Sequence, residues 1–234
     1  MKKQLFRISI GLFTLGVIFL TGCSKTEDTT APSITLSGDQ TMTVSLPATA
    51  NGNSAYSEPG FSATDDEDGT ITSSVTVSGT VDMNRKGSYT LTYTVADKAG
   101  NSTSVNRVVN VINDAEIFAG TYANSVDTSL ASGSGQISPS PIVTTSDTIN
   151  NLVKINNFGG FGDIVNVWAK INGTAAGSTI SVDLNQSLSG NVFISNVYSN
   201  ETFVISGSPS TSFKIKYSWS DGTASDVSTS YYIR

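Results

Sequence analysis

Ser88-Tyr89-Thr90-Leu91-Thr92-Tyr93-Thr94-Val95 alternates at every position. Successive side chains of an extended chain point to opposite faces, so Tyr89, Leu91, Tyr93 and Val95 share one side and Ser88, Thr90, Thr92 and Thr94 the other. Such a segment is predicted to be a strand lying half-buried on a core. Val105, Arg107, Val109 and Val111 repeat the period downstream. The connection Ala96-Asp97-Lys98-Ala99-Gly100-Asn101 ends in a Gly-Asn pair suited to the positive φ angles of a tight hairpin. The alternation extends from about Pro32 to Asn113 with no helical period, which predicts a β-sandwich of short strands.

From Ala115 the texture shifts to Gly, Ser, Asn and aromatics. Phe118 to Tyr122 begins a predicted strand. Others are predicted near Ile137 to Thr144, Leu152 to Asn157, Ile164 to Ile171, Thr179 to Leu184, Asn191 to Val197, Thr202 to Ile205, Ser212 to Trp219 and Ser228 to Ile233. Asn172-Gly173 and Asp221-Gly222 are hairpin signals. The short connections predict an antiparallel meander, closed as a barrel or packed as a sandwich. The expected fold class is therefore all-β, with residues 32–113 forming one sandwich and residues 115–234 a second antiparallel domain.

The start of the chain has a different character. Lys2, Lys3 and Arg7 precede an apolar run from Ile8 to Leu20, and Leu20-Thr21-Gly22-Cys23 follows. A run of about a dozen residues suits a signal peptide and falls short of the roughly 20 needed to span a bilayer. The small residues Thr21 and Gly22 give a peptidase access to the bond before Cys23. Leu-Thr-Gly-Cys resembles the bacterial lipobox, which implies lipid on the Cys23 sulfur and an acyl chain on its freed amine. Two or three chains hold firmly where one binds marginally. The plainer alternative is a secretory signal with a chance cysteine. On the lipobox reading, residues 1–22 are a signal peptide and residues 23–31 a lipidated polar tether. Ser24 in place of Asp after the cysteine resembles the pattern of lipoproteins released to the outer membrane. Lys25, Glu27 and Asp28 loosely resemble the surface-export signal of Bacteroidota lipoproteins.

Bulk properties narrow the function. The chain has 13 Lys+Arg, 19 Asp+Glu, no histidine and one cysteine. Removing residues 1–22 leaves 10 basic against 19 acidic residues, a formal charge near −9. Such a field repels nucleic acid and anionic lipid, so no nucleic-acid partner is expected. A single cysteine excludes an internal disulfide and a thiolate metal cluster. The absence of histidine removes Ser-His-Asp and Cys-His catalysis and every histidine metal site.

The first domain carries a family resemblance in its motifs. Asp28-Thr29-Thr30-Ala31-Pro32-Ser33-Ile34-Thr35-Leu36, Glu58-Pro59-Gly60-Phe61-Ser62-Ala63-Thr64-Asp65, Asp68-Gly69-Thr70-Ile71-Thr72 and Gly87 to Val95 occur in order. The segment resembles the bacterial surface immunoglobulin-like domain, of the kind also found in a pesticidal crystal toxin. It departs from that pattern over Ala48 to Ser57, which is longer and richer in Asn and Ser. The resemblance implies a fold and a spacer or adhesion role, and no reaction. Phe118 to Tyr122, Ile155 to Gly162 and Val165 to Gly173 resemble the small β domain that closes two-domain Bacteroidota surface lipoproteins. Some of these accompany nutrient importers, and the resemblance implies that context here.

Few side chains suggest chemistry. Val165, Val167, Ala169 and Ile171 form an apolar face, which puts Trp168 with Asn166 and Lys170 on the other side, where an exposed aromatic can bind a glycan or peptide or pack beneath a loop. Trp219 shares a stripe with Phe213, Ile215 and Tyr217 and is expected in the core. Asp65-Asp66-Glu67-Asp68-Gly69 is the densest acidic cluster. Asp65, Asp66 and Asp68 are a weak candidate for Ca²⁺, but the spacing is not an EF-hand. The plainer reading is a solvated loop turned by Asp68-Gly69. Asn156-Asn157-Phe158-Gly159-Gly160-Phe161-Gly162 lacks the helix and the Lys-Ser/Thr of a phosphate loop, so it reads as a wide turn. Asp163, Asp183, Glu201, Asp221 and Asp226 are acids without a framing motif. No cofactor is expected.

The expectation is therefore a non-enzymatic outer-membrane or cell-surface lipoprotein. It would be held by lipid at Cys23 and act as a binding or assembly accessory of a nutrient importer, with a glycan or peptide as candidate ligand. The rivals are a structural adhesin or envelope spacer, and a carboxylate-dependent glycan hydrolase, which would need two acids converging about 5–10 Å apart.

Overall fold

The computed structural model describes residues 27–50, 52, 55–122, 124–129, 135–158, 166–173, 179–182, 193–197, 212–220 and 225–233. These residues are all-β apart from two short 3₁₀ turns, Thr72–Ser74 and Asp114–Phe118. No helix among them is long and apolar enough to cross a membrane.

The first sandwich contains β1 (Ser33–Leu36), β2 (Thr41–Ser45), β3 (Phe61–Asp65), β4 (Gly69–Thr70), β5 (Thr76–Ser78), β6 (Gly87–Ala96) and β7 (Ser102–Ile112). One sheet has the order β1-β3-β4 and the other β2-β7-β6-β5. The opening octapeptide lies in β6, which pairs with β7 over ten positions from Gly87↔Val111 to Ala96↔Ser102. Leu91, Tyr93 and Val95 are buried as the alternation requires. At the hairpin only Gly100 takes positive φ, at 100°, while Asn101 keeps an ordinary backbone and uses its side chain instead. β2 runs parallel to β7, so the second and the last strand of the first sandwich are neighbours in one sheet.

A cation sits in this core. Arg107 stands among valines in β7 and is fully buried. Nη2 lies 3.1 Å from Glu58 Oε1 and donates to the Ser37 carbonyl at 2.8 Å and the Gly60 carbonyl at 3.3 Å. Nη1 donates to the Asp39 carbonyl, and Nε to the Tyr93 hydroxyl at 3.4 Å. Glu58 also accepts from the hydroxyls of Tyr93 at 2.6 Å and Tyr56 at 3.1 Å. Burial, reinforced by the Glu58 carboxylate, pushes the Tyr56 hydroxyl up to about 12, and the same causes raise Tyr93. A guanidinium is tolerated here because its fork meets a carboxylate and several carbonyls at once. The Glu58-Pro59-Gly60 turn is thereby fastened to both sheets.

The second sandwich contains β8 (Gly120–Thr121), β9 (Asn124–Ser129), β10 (Gly135–Pro139), β11 (Ile142–Thr145), β12 (Leu152–Ile155), β13 (Val167–Asn172), β14 (Thr179–Val182), β15 (Phe193–Val197), β16 (Ser212–Ser220) and β17 (Ser225–Ile233). They form two five-stranded antiparallel sheets, β14-β13-β12-β11-β8 and β10-β9-β17-β16-β15. The inner face of the first supplies Val143, Val153, Ile155, Val167, Ala169, Ile171, Ile180 and Val182 to a core that Ile215 and Tyr232 enter from the second. Tyr122 and Tyr232 meet edge to face across the sheets, with ring centroids 6.2 Å apart. The barrel alternative gives way to a sandwich. The meander holds for β11 to β14 and again for β15 to β17, and is broken where β17 pairs with β9.

The stretch Ile137 to Thr144, predicted as one strand, is two strands in different sheets. Ser140 adopts φ 34° between Pro139 and Pro141, and prolines without N–H donors cannot continue a ladder. Phe118 belongs to the 3₁₀ turn and enters the core from there. The strand predicted over Thr202 to Ile205 and the Asp221-Gly222 signal lie outside the described residues.

A dense polar joint connects the two sandwiches. Asn113, fully buried after β7, donates from Nδ2 to the carbonyls of Ser146 and Ile149 at 2.9 Å and Leu152 at 3.3 Å. Its Oδ1 accepts from the amides of Ala115 at 3.0 Å and Asn151 at 2.9 Å. Asn150 exchanges bonds with Asp114, and its amide donates to the Pro47 carbonyl at 2.8 Å. The Lys86 amide adds a bond to the Asp147 carbonyl at 2.7 Å.

Candidate functional site

The outer face of β14-β13-β12-β11-β8 presents the exposed aromatic. β13 reads buried, exposed, buried, half-buried, buried, exposed, and Trp168 is the first of its two exposed residues, 39% accessible. Because Val167, Ala169 and Ile171 bind this strand to the core, the indole is held on a rigid sheet. Trp168 stands opposite Lys154 of β12, which stands opposite Thr144 of β11. Ile142, 42% accessible, lies one step along on the same face of β11. Cross-strand partners on one face are about 4.5–5.5 Å apart at Cβ, so Trp168, Lys154 and Thr144 form a continuous row. An aromatic beside a lysine and a hydroxyl suits a ligand with an apolar face and polar rim, such as a sugar ring or a peptide side chain.

The two companions proposed from sequence behave differently. Asn166, half-buried, sits just before β13. Lys170 shares the outer face but spans to the first sandwich, its ammonium donating to the Ala48 carbonyl at 3.2 Å. It therefore serves the joint, and Lys154 takes the place beside the tryptophan. Lys154 alternates outward in Leu152-Val153-Lys154-Ile155, a visible signal, but its pairing with Trp168 is non-local and no local period encodes it.

Beside this row, at the joint, lies an open cleft of about 610 Å³ that includes Ile142 and Thr144. Lys86 crosses it from the first sandwich, donating to Thr145 Oγ1 at 2.9 Å and lying 3.3 Å from Glu116 Oε2 and 3.5 Å from Asp147 Oδ1. Thr145 donates in turn to Glu116 at 2.7 Å. These carboxylates are largely exposed, so the ion pairs orient more than they stabilise. The cleft and the Trp168 row form one continuous concave-to-flat surface through Ile142 and Thr144.

The acidic cluster is taken apart by the fold. Asp66 is exposed. Asp68 accepts from the Lys98 amide at 2.8 Å and lies 2.7 Å from the Lys98 ammonium. Asp65 turns inward, away from both, toward Asp28 and Asp97. The carboxylates that converge are therefore those of Asp28, Asp65 and Asp97, and Asp66 and Asp68 are not among them. The turn itself is as read, with Gly69 at φ 70°.

Other sequence candidates lie outside the described residues: Leu20, Thr21, Gly22 and Cys23, the acids Asp163, Asp183, Glu201 and Asp221, and the side chains of Asp226, Phe213, Tyr217 and Trp219. Ile215 of that last stripe is buried, and so is Phe158 of the glycine-rich turn.

Residues 34–111, about a third of the chain, match the family described as bacterial surface protein, Ig-like domain. The first sandwich is thus a bacterial surface immunoglobulin-like domain. No sequence among curated proteins matches the chain. Among solved structures, a lipoprotein of Bacteroides thetaiotaomicron is 17% identical at a TM-score of 0.32, covering 86% of this chain and 99% of that one. CBM51-2 in complex with GlcNAc and INT domains from Clostridium perfringens ZmpB is 14% identical at a TM-score of 0.26, covering 86% of this chain and 44% of that one. The M60 catalytic domain with CBM51-1 and CBM51-2 from the same ZmpB is 16% identical at 0.28, covering 87% and 21%. Superpositions at these scores carry no argument about function.

Proposed function

We propose that this is a non-enzymatic, lipid-anchored surface protein whose immunoglobulin-like domain holds a second β-sandwich off the membrane. In this reading residues 32–113 and 115–234 are the two domains, and the outer sheet face around Trp168 meets a glycan or peptide. The observation that carries the ligand-binding part is an exposed indole on a strand whose other face is fully committed to the core. A rigid aromatic binds at low entropic cost, because little freedom remains to be lost. The setting it suits is accessory capture at an outer-membrane importer. The joint around Asn113 supports the alternative of a spacer, since it fixes the second sandwich to the first whether or not a ligand is bound.

Two measurements test this. The chain has two tryptophans, so a Trp219→Phe background leaves Trp168 as sole indole. Titration with neutral oligosaccharides and with short peptides should shift or quench its emission, and Trp168→Ala should weaken binding about tenfold, or ~1.4 kcal/mol, the upper scale of an aromatic contact, while leaving the melting temperature nearly unchanged. A flat titration against both classes supports the spacer. For the anchor, Cys23→Ala should move the protein from the membrane fraction to the soluble one; retention in the membrane overturns lipid attachment at that thiol.

A further inference from the structure

We propose that Asp28, Asp65 and Asp97 form a Ca²⁺ site that fastens the segment preceding β1 to the first sandwich. Asp28 lies ahead of β1, Asp65 closes β3 and Asp97 follows β6, so three separate pieces of chain converge. One ligand oxygen from each lies within 4.8 Å of the others. Oxygens on opposite sides of Ca²⁺, at 2.3–2.6 Å from it, are about 4.6–5.2 Å apart, so a single ion reaches all three. Mg²⁺ demands about 2.0–2.1 Å and keeps its waters, which this spacing suits less well.

The state of Asp65 points to a cation independently of the clustering. Its side chain is nine-tenths buried, and Oδ1 has neither solvent nor a hydrogen-bond partner. Oδ2 is used by the turn, accepting from the amides of Glu67 and Asp68 at 3.0 Å each. An ionised carboxylate only accepts, so a buried oxygen without a donor is costly unless a cation supplies the missing partner. Its neighbours supply like charge instead. The closest lysine by sequence, Lys98, is committed to Asp68, and among the described residues none of the three acids is in an ion pair.

The cage is also held in place. Asp28 Oδ1 accepts from the Thr30 amide at 2.9 Å. Asp97 Oδ1 accepts from the amides of Gly100 at 2.6 Å and Asn101 at 2.8 Å. The Asn101 side-chain amide bridges Asp97 Oδ2 at 2.9 Å and the Asp28 carbonyl at 3.1 Å. A carboxylate fixed in this way is ready for a cation.

Isothermal titration of the full chain, stripped with chelator and titrated with CaCl₂, tests the site. The expected result is one Ca²⁺ per chain with Kd on the order of 10⁻⁴–10⁻³ M, the range of extracellular modules, and a higher melting temperature at saturation. Asp28→Asn lies outside every strand and keeps the Thr30 bond through its amide oxygen, so it folds; it should weaken binding about tenfold or more. Asp66→Asn should bind as the native chain does. Absence of saturable binding up to about 10 mM, ten times the weak end of that range, overturns the proposal, and so does native affinity in both Asp28→Asn and Asp97→Asn.

Discussion

Arg107→Met lowers the stability of the first sandwich by about 3–5 kcal/mol, the cost of breaking a buried ion pair by removing one partner. The methionine fills much of the same volume, so the loss is electrostatic. Glu58 keeps its tyrosine donors but loses the guanidinium 3.1 Å away, and the carbonyls of Ser37 and Asp39 lose the guanidinium as donor while that of Gly60 keeps the Ser37 amide. Glu58 is 28% accessible and partly rehydrates, which favours the lower end of the range. Urea denaturation followed by circular dichroism measures the effect, and a loss under about 1 kcal/mol, the worth of an exposed ion pair, would sink the argument. Adding Glu58→Gln should recover part of the loss, because the uncompensated charge is then gone.

Asn113→Ala should cost about 2–4 kcal/mol and also change the shape of the unfolding transition. One truncation removes five hydrogen bonds. The Leu152 carbonyl keeps the Ser146 amide and the Asn151 amide keeps Asn150 Oδ1, but the carbonyls of Ser146 and Ile149 and the amide of Ala115 lose the partner that Asn113 gave them. Each buried orphan costs about 1–3 kcal/mol before relaxation or water entry. Apart from the Ala115 amide, those groups belong to the loop and strand start of the second sandwich, from Ser146 to Leu152, while Asn113 directly follows β7. The native chain should melt in one cooperative step across the joint. The variant should melt in two, as each sandwich keeps its own core but loses the bond between them. Calorimetry decides; a single transition at the native temperature would show that the joint is not carried by this side chain. Asn113→Asp is the stricter comparison, since it retains the acceptor for Ala115 and Asn151 but sets a carboxylate against three carbonyls.

What was legible in the sequence depended on whether the cause was local. The period of Tyr89 to Val95 and the outward position of Trp168 follow from alternation alone, and both hold. The place of Arg107 among the valines of its strand was also readable, although its partners were not: Glu58 sits in a turn about fifty residues earlier. The acids show the same limit more sharply. Adjacent Asp65, Asp66 and Asp68 suggested one cluster, whereas a strand end, a turn and a salt bridge send them in three directions, and Asp65 meets residues 28 and 97 through folding alone. Asn113 looks like any residue between two strands, because four of the five groups it satisfies lie more than thirty residues further along the chain. The split at Ser140 was visible as two prolines, but not that the flanking strands join opposite sheets.

The position of β17 has a bearing on how the chain reaches its folded state. β9 is the first strand of its sheet in chain order, yet its neighbour in that sheet, Ser225–Ile233, is synthesised about a hundred residues later. Until that segment arrives, β9 and β16 have no strand between them, and their bare backbone ladders can recruit another molecule instead. Assembly of this half therefore waits on contacts about a hundred residues apart, which slows it. A chaperone that shields β9 until β17 arrives should raise the yield of the second sandwich more than that of the first.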